Sequence, residues 1–303
     1  MKHLVRNIIL FIPLAILFVT LATLLLGGTG LLRNVTYIAD SGDNLYTKTR
    51  EADTVQDVDV LFIGSSHSYR TFDPRIFARH GVKAFNLGSS NQTPLQTEVL
   101  LRTLLPKVNP RLVVFEVHPD IIAYDGIEAA IYQLCNVKPS LPMALMALRS
   151  RNWRVVMTAL YAIPRNLLSS EFNHRSENTV GYAAGFLEHE LEYYSPQPLD
   201  TVAIQPLPRQ LDALRRCTSW IQACGIPYIL LEVPDTKNLL DSYSNLPEFQ
   251  SLMGGYGKFC FKPLDSLDDS LHFYNQDHLN QHGVELYDEY ICDSLILPLL
   301  NSL

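Results

Sequence analysis

The sequence predicts an α/β protein, a three-layer sandwich in which helices cover both faces of a central parallel sheet. Three observations carry that reading. Short apolar runs at 58–63, 82–87, 112–117 and 228–233 have the uninterrupted character of strands buried on both faces. Segments with helix-start and helix-stop residues lie between them, and strands alternating with helices build parallel sheets. With 47% hydrophobic and 18% charged residues, the 303-residue chain has the composition of a folded body.

Taken in order, residues 29–56 are polar, lack clear periodicity and read as a linker into the first strand. Asp73-Pro74 opens a helix, with aspartate as cap and proline at the first helical position, and Gly81 closes it. After the second strand, Thr93-Pro94-Leu95-Gln96 forms a capping box, and its helix is expected to end near Pro106. The third strand is 112–117. Residues 120–205 break the alternation and read as a helical insertion; its Trp153, Tyr161, Tyr182, Tyr193 and Tyr194 fit a core better than a substrate platform. Leu211, Leu214, Ile221 and Cys224 mark one face of a helix stopped by Gly225. The fourth strand follows, and 284–299 is a final amphipathic helix.

Charge narrows the function. The net charge is −7, and the first 33 residues hold Lys2, Arg6 and Arg33 with no acidic residue. The remainder carries 21 basic against 31 acidic residues, so no nucleic-acid partner is expected, because phosphate binding needs a basic footprint. The five cysteines (Cys135, Cys217, Cys224, Cys260, Cys292) lack metal-type spacing and read as small buried hydrophobes. Residues 8–26 form a run of 19 without charge, long enough to cross a bilayer core, and Lys2 and Arg6 precede it. By the positive-inside rule this is an uncleaved single-pass anchor at residues 1–28, N-terminus cytoplasmic, with the body of the protein beyond the inner or plasma membrane. No small-x-small cleavage site follows the run, which disfavours a removed signal peptide.

Active sites of open parallel sheets form beyond the carboxyl ends of the strands. Three segments lie there: Gly64-Ser65-Ser66-His67-Ser68, Asn86-Leu87-Gly88-Ser89-Ser90-Asn91, and Asn275-Gln276-Asp277-His278-Leu279-Asn280 followed by Gly283. A serine hydroxyl is a poor nucleophile until a neighbouring base takes its proton, and histidine suits that task near neutrality.

The run VLFIGSSHSYRTFDP resembles the nucleophile block of the SGNH (GDSL-like) hydrolases and acyltransferases. It is closer to the Gly-Ser-Ser form, seen in membrane-anchored bacterial members such as the D-alanyl transfer protein of teichoic-acid modification, than to the common Gly-Asp-Ser form, and the chain also resembles polysaccharide O-acetyl transferases. FNLGSS resembles the second block and DHLNQHG the terminal one. The resemblance spans residues 58–283 and implies a flavodoxin-like sandwich, 57–303 as one catalytic domain, and no cofactor or metal. It makes Ser66 the nucleophile, His278 the base, and the amides of Ser66 and Gly88 the oxyanion hole. It implies an acyl-ester or glycan substrate at the cell envelope and a membrane-bound acyl-transfer partner. Two positions depart from the pattern. The third block ends Phe115-Glu116-Val117-His118-Pro119, without its asparagine, and Asn91 or His118 stands nearest to fill that place. The usual acid, three residues before the histidine, is Asn275, with Asp277 as the adjacent carboxylate. Neighbouring side chains in an extended segment point to opposite faces, so the expectation is a Ser66–His278 dyad oriented by Asn275, with Asp277 contributing weakly.

Two other readings stand beside this one. The departures suit an inactive envelope scaffold that keeps the fold. His272, His278 and His282 suggest a metal site, but no glutamate completes a HExxH pattern and Gly283 interrupts the helix it needs. Arg70 reads equally as an anion ligand or a helix cap. A C-terminal alkaline phosphatase fusion to the whole chain is expected to be active and a cytoplasm-only reporter silent; the opposite pattern would refute the anchor's orientation.

Overall fold

The computed structural model describes residues 2–39 and 42–303. The apolar runs become strands β1 (Val60–Ile63), β2 (Ala84–Asn86), β3 (Leu112–Glu116) and β4 (Tyr228–Glu232), and Phe259–Phe261 adds an edge strand, β5. All pair in parallel in the order β2-β1-β3-β4-β5, with Leu61 between Phe85 and Val113, and Phe115 beside Leu230. Alternate residues of each strand face opposite sides, and each side builds a core. Leu61, Ile63, Phe85, Val113 and Leu230 pack with helices Pro94–Val108 and Pro208–Ala223. Val60, Phe62, Val114, Ile229 and Leu231 pack with helices Pro74–Arg79 and Gln281–Ile291. The predicted three-layer sandwich is therefore present.

The local signals explain the helices that bear on the site. Asp73 accepts from the Arg75 amide at 2.9 Å and caps Pro74–Arg79. Thr93 and Gln96 form their capping box, but the helix runs through Pro106 to Val108, because a proline late in a helix leaves the later turns unhindered. The last helix begins at Gln281, capped by Asn280, and continues through a π-turn at Cys292–Ile296 into Leu297–Ser302. The insertion comprises helices Pro119–Ala123, Ile127–Asn136, Leu141–Arg149, Trp153–Leu168 and Ser170–His174, then a hairpin of Tyr182–Ala183 and Phe186–Leu187.

The described residues of 29–56 correct the linker reading; positions 40 and 41 lie outside the described residues. Leu45–Glu51 is a helix whose Leu45, Tyr46, Lys48 and Thr49 are buried, so this segment is part of the folded body. Its polar residues carried no apolar period because several of them are buried with hydrogen-bond partners. Lys2–Leu26 is one helix, long and apolar enough to cross a membrane. It packs on Trp153–Leu168 where Gly27 meets Tyr161: a side chain at 27 would come within 2.5 Å of that ring. The five cysteines are unpaired, and Cys135, Cys217 and Cys292 are buried.

Chain order places the site. The chain runs from β1 outward to β2, then returns past β1 to β3. The carboxyl ends of β1 and β3 thus frame the crevice at the topological switch point. Asn86, the last residue of β2, ties this rim together. Its Oδ1 accepts from Ser68 Oγ at 3.1 Å and the Gly88 amide at 2.9 Å. Its Nδ2 donates to the carbonyls of Ser68 at 2.9 Å and Phe72 at 3.3 Å. Asn86→Ala strands several of these buried groups and is expected to cost about 3 kcal/mol, read as a lower midpoint in thermal or denaturant unfolding; a loss below about 1 kcal/mol would show that water replaces the amide there.

Candidate active site

Ser66 sits at a sharp strand-to-helix junction. β1 ends at Ile63, and Ser65 caps helix Ser66–Thr71 by accepting from the His67 amide at 3.2 Å. The Ser65 backbone amide and hydroxyl both donate to Glu116 Oε2, at 2.6 and 2.8 Å. Glu116 ends β3 and is buried. Ser66 is the first residue of the helix, and its amide has no acceptor among the described residues. Such a first-turn donor can face an oxyanion.

His278 arrives from the far end of the chain on a tight loop. Phe273 and Leu279 bridge antiparallel, both buried, and the Tyr274 amide donates to the His278 carbonyl at 3.1 Å. Asn275 Oδ1 closes the turn by accepting from the amides of Asp277 at 3.1 Å and His278 at 2.8 Å. His278 Nε2 then lies 2.9 Å from Ser66 Oγ. Its Nδ1 lies 2.9 Å from Asp277 Oδ1 and 3.2 Å from Asn275 Oδ1. The sequence reading took this segment as extended. The turn instead swings Asp277 back onto the ring of its neighbour, nearer than Asn275, whose oxygen already serves two amides. Asn275 is thus the builder of the turn, and Asp277 the charged partner of the imidazole.

The electrostatics follow from this packing. Burial works to raise the Asp277 carboxyl, but hydrogen bonds from His278 and His67, with their charges, hold it well below the usual carboxylate range. Burial, and then the charge of His67, push His278 below the ordinary histidine value, against the pull of Asp277. The lowering favours the neutral ring, the form able to accept a proton.

The other residues singled out by sequence take different places. The Gly88 amide donates to Asn86 at 2.9 Å rather than standing open. A side chain at 88 would meet the Ser65 carbonyl at 2.7 Å and the Tyr69 amide at 3.0 Å, so glycine is required here by close packing. Its carbonyl accepts from buried Lys48 Nζ at 2.7 Å, an amine that burial lowers to about 8 against the pull of Asp43. Asn91 has φ +51° and turns its amide to Glu128 at 3.4 Å. Of the two expected backbone oxyanion donors, only the Ser66 amide is without an acceptor among the described residues. Arg70 donates to the carbonyls of Leu187 at 3.0 Å and Glu188 at 3.3 Å, fastening the hairpin to the nucleophile helix.

His118 occupies the place of the missing asparagine, with both ring nitrogens engaged away from the nucleophile's hydroxyl by other partners. Its Nε2 meets Asp235 Oδ2 at 3.0 Å, and its Nδ1 accepts from the Asp120 amide at 3.2 Å. Burial opposes its charge, but Asp235 raises it to about 10. The rings of His118, His67 and His278 form a column, with centroids 3.9 and 4.5 Å apart and planes within 7° and 10°. His67 with His118 and Asp235, and His67 with Asp277 and His278, bring ligand atoms within metal-binding reach. Stacked parallel imidazoles direct their lone pairs side by side, however, and His118 and His278 already direct Nε2 at Asp235 and Ser66. These groups do not fit a metal ion. His272, by contrast, accepts from the Asp268 amide at 2.8 Å. The sequence reading missed the roles of His67, Glu116 and Asn86; a charged residue closing a buried strand was the one visible sign of Glu116.

No protein-family model matches the chain, and no curated protein does. Among solved structures it is similar to a protein provisionally named an acylhydrolase from Bacteroides fragilis, 14% identical, TM-score 0.43, covering 85% of this chain and 98% of that one. It is also similar to a GDSL-like lipase from Bacteroides thetaiotaomicron, 15% identical, TM-score 0.41, covering 86% and 98%.

An NMR titration of His278 in the resting protein is expected to give a midpoint below the ordinary value of 6.5. A midpoint above it would show that Asp277 outweighs burial and His67.

Proposed function

We propose that the chain is a membrane-anchored, extracytoplasmic serine esterase or O-acyltransferase acting on acyl esters of a cell-envelope glycan. The observation that carries the chemistry is the 2.9 Å approach of Ser66 Oγ to His278 Nε2, with Asp277 at 2.9 Å on the opposite nitrogen. In this reading Ser66 Oγ attacks the ester carbonyl while His278 Nε2 takes its proton. The negative charge that grows on the carbonyl oxygen faces the Ser66 amide. Collapse breaks the ester C–O bond, and His278 returns the proton to the departing alcohol. Water, or a sugar hydroxyl, then attacks the acyl-Ser66 by the reverse sequence. Asp277 holds the ring and stabilises the imidazolium.

The apolar helix Lys2–Leu26 and the resemblance of the nucleophile block to membrane-tethered enzymes support the envelope location and the glycan substrate. The same resemblance supports a membrane-bound donor of acyl groups as partner. One observation favours the inactive scaffold as a second reading. The engaged Gly88 amide and the His118–Asp235 pair leave the oxyanion with fewer donors than the family pattern provides.

A fluorophosphonate probe is expected to label wild-type protein at Ser66 and to leave Ser66→Ala unlabelled; an unlabelled wild type supports the scaffold. With p-nitrophenyl acetate, Ser66→Ala should lose at least about a thousandfold in kcat, roughly 4 kcal/mol. Asp277→Asn should lose about a hundredfold, roughly 2.7 kcal/mol, and Asn275→Ala less than tenfold. This order reverses the one expected from alignment, and a larger loss in Asn275→Ala than in Asp277→Asn would restore it.

A further inference from the structure

The side chain adjacent to the nucleophile has a task that the serine–histidine pair does not explain. His67 is 4% exposed and lies in the helix that Ser65 caps. Its Nδ1 is 3.0 Å from Ser65 Oγ, and its Nε2 is 3.5 Å from Asp277 Oδ2. Nε2 is buried and makes no hydrogen bond among the described residues, and the Asp277 carboxylate lies within ion-pair distance of it. Asp277 is therefore flanked on two sides, by His278 2.9 Å from Oδ1 and by His67 3.5 Å from Oδ2.

The hydrogen positions follow from counting. Ser65 Oγ carries one hydrogen and lies between Glu116 Oε2, at 2.8 Å, and His67 Nδ1, at 3.0 Å. The hydroxyl donates to the Glu116 carboxylate, so it accepts from Nδ1–H. A bare lone pair on Nε2 against the Asp277 carboxylate in a buried site is unfavourable, so Nε2 carries a hydrogen as well, directed to Asp277.

We infer that His67 is a positioning residue: buttressed by Glu116 through Ser65, it donates Nε2–H to Asp277 and fixes that carboxylate on His278. The inference rests on the proposed serine chemistry, and it explains how a carboxylate one residue before the histidine takes the place of an acid three residues before it. Asp277 belongs to a part-exposed loop, whereas Ser65, His67 and Glu116 belong to the buried rim of the sheet. The chain Glu116–Ser65–His67 thus transmits the rigidity of β3 to the loop that carries the base. The stacking of His67 between His118 and His278 holds the ring plane.

Two amide substitutions separate the two ring nitrogens. His67→Gln places its NH2 near the position of Nε2 and keeps a donor toward Asp277. His67→Asn places its NH2 near the position of Nδ1 and keeps the Ser65 contact alone. With full-length protein in detergent micelles and p-nitrophenyl acetate as substrate, His67→Gln should lose less than about fivefold in kcat and His67→Asn at least about thirtyfold, with KM within about twofold in both. The downfield proton resonance of His278 Nδ1–H should persist in wild type and His67→Gln, and broaden or vanish in His67→Asn and Asp277→Asn. Equal losses in the two His67 variants would overturn the inference and leave His67 as packing, as would a wild-type resonance in His67→Asn. Should wild-type Ser66 resist fluorophosphonate, the catalytic reading fails separately, and the resonance alone then decides whether His67 holds Asp277.

Discussion

The double hydrogen bond from the amide and hydroxyl of Ser65 to Glu116 Oε2 is the constraint on which the rest of the site depends. It joins the ends of two adjacent central strands, β1 and β3, at the point where the sheet order reverses. Because Ser65 is also the cap of the next helix, the same contact sets where that helix starts and where Ser66 Oγ points. A buried carboxyl is costly without partners. Here the two Ser65 donors satisfy one oxygen, and that requirement in turn fixes the backbone beside the nucleophile.

A second consequence is that the polar groups around Ser66 form a layered structure. Asn86 and Lys48, both buried, hold the loop after β2 by the Gly88 amide and the Gly88 carbonyl. His118 and Asp235 form a closed pair beneath His67, and the stacked rings carry that order up to His278. In such a network each member's partner is already chosen, so the geometry tolerates little independent movement. The same closure explains why His118 does not stand in for an oxyanion asparagine: both of its nitrogens are committed.

Much of the sheet was legible because parallel strands buried on both faces leave unbroken apolar runs, as at 58–63 and 112–117. Capping chemistry was equally legible at Asp73 and Thr93, since a cap is a contact between residues two or three apart. The edge strand Phe259–Phe261 was not, being three residues long and half-buried. The helix Leu45–Glu51 was not either, because Lys48 and Thr49 are polar yet buried, and their burial depends on Gly88 and on the helix's own carbonyls.

What the sequence by itself determined was the order and character of the elements, and the serine and histidine at the strand ends where a switch-point crevice must lie. What only the tertiary structure decided was partnership. Whether Asn275 or Asp277 faces His278 depends on a turn of four residues pinned by Phe273 and Leu279 in the core. Whether Gly88 is a donor or a packing position depends on the Asn86 side chain and on the helix after β1. Composition and spacing report which chemical groups are present near one another along the chain. The direction of a lone pair or an N–H is set by contacts between residues as far apart as Ser66 and His278, and these exist only once the sheet has formed.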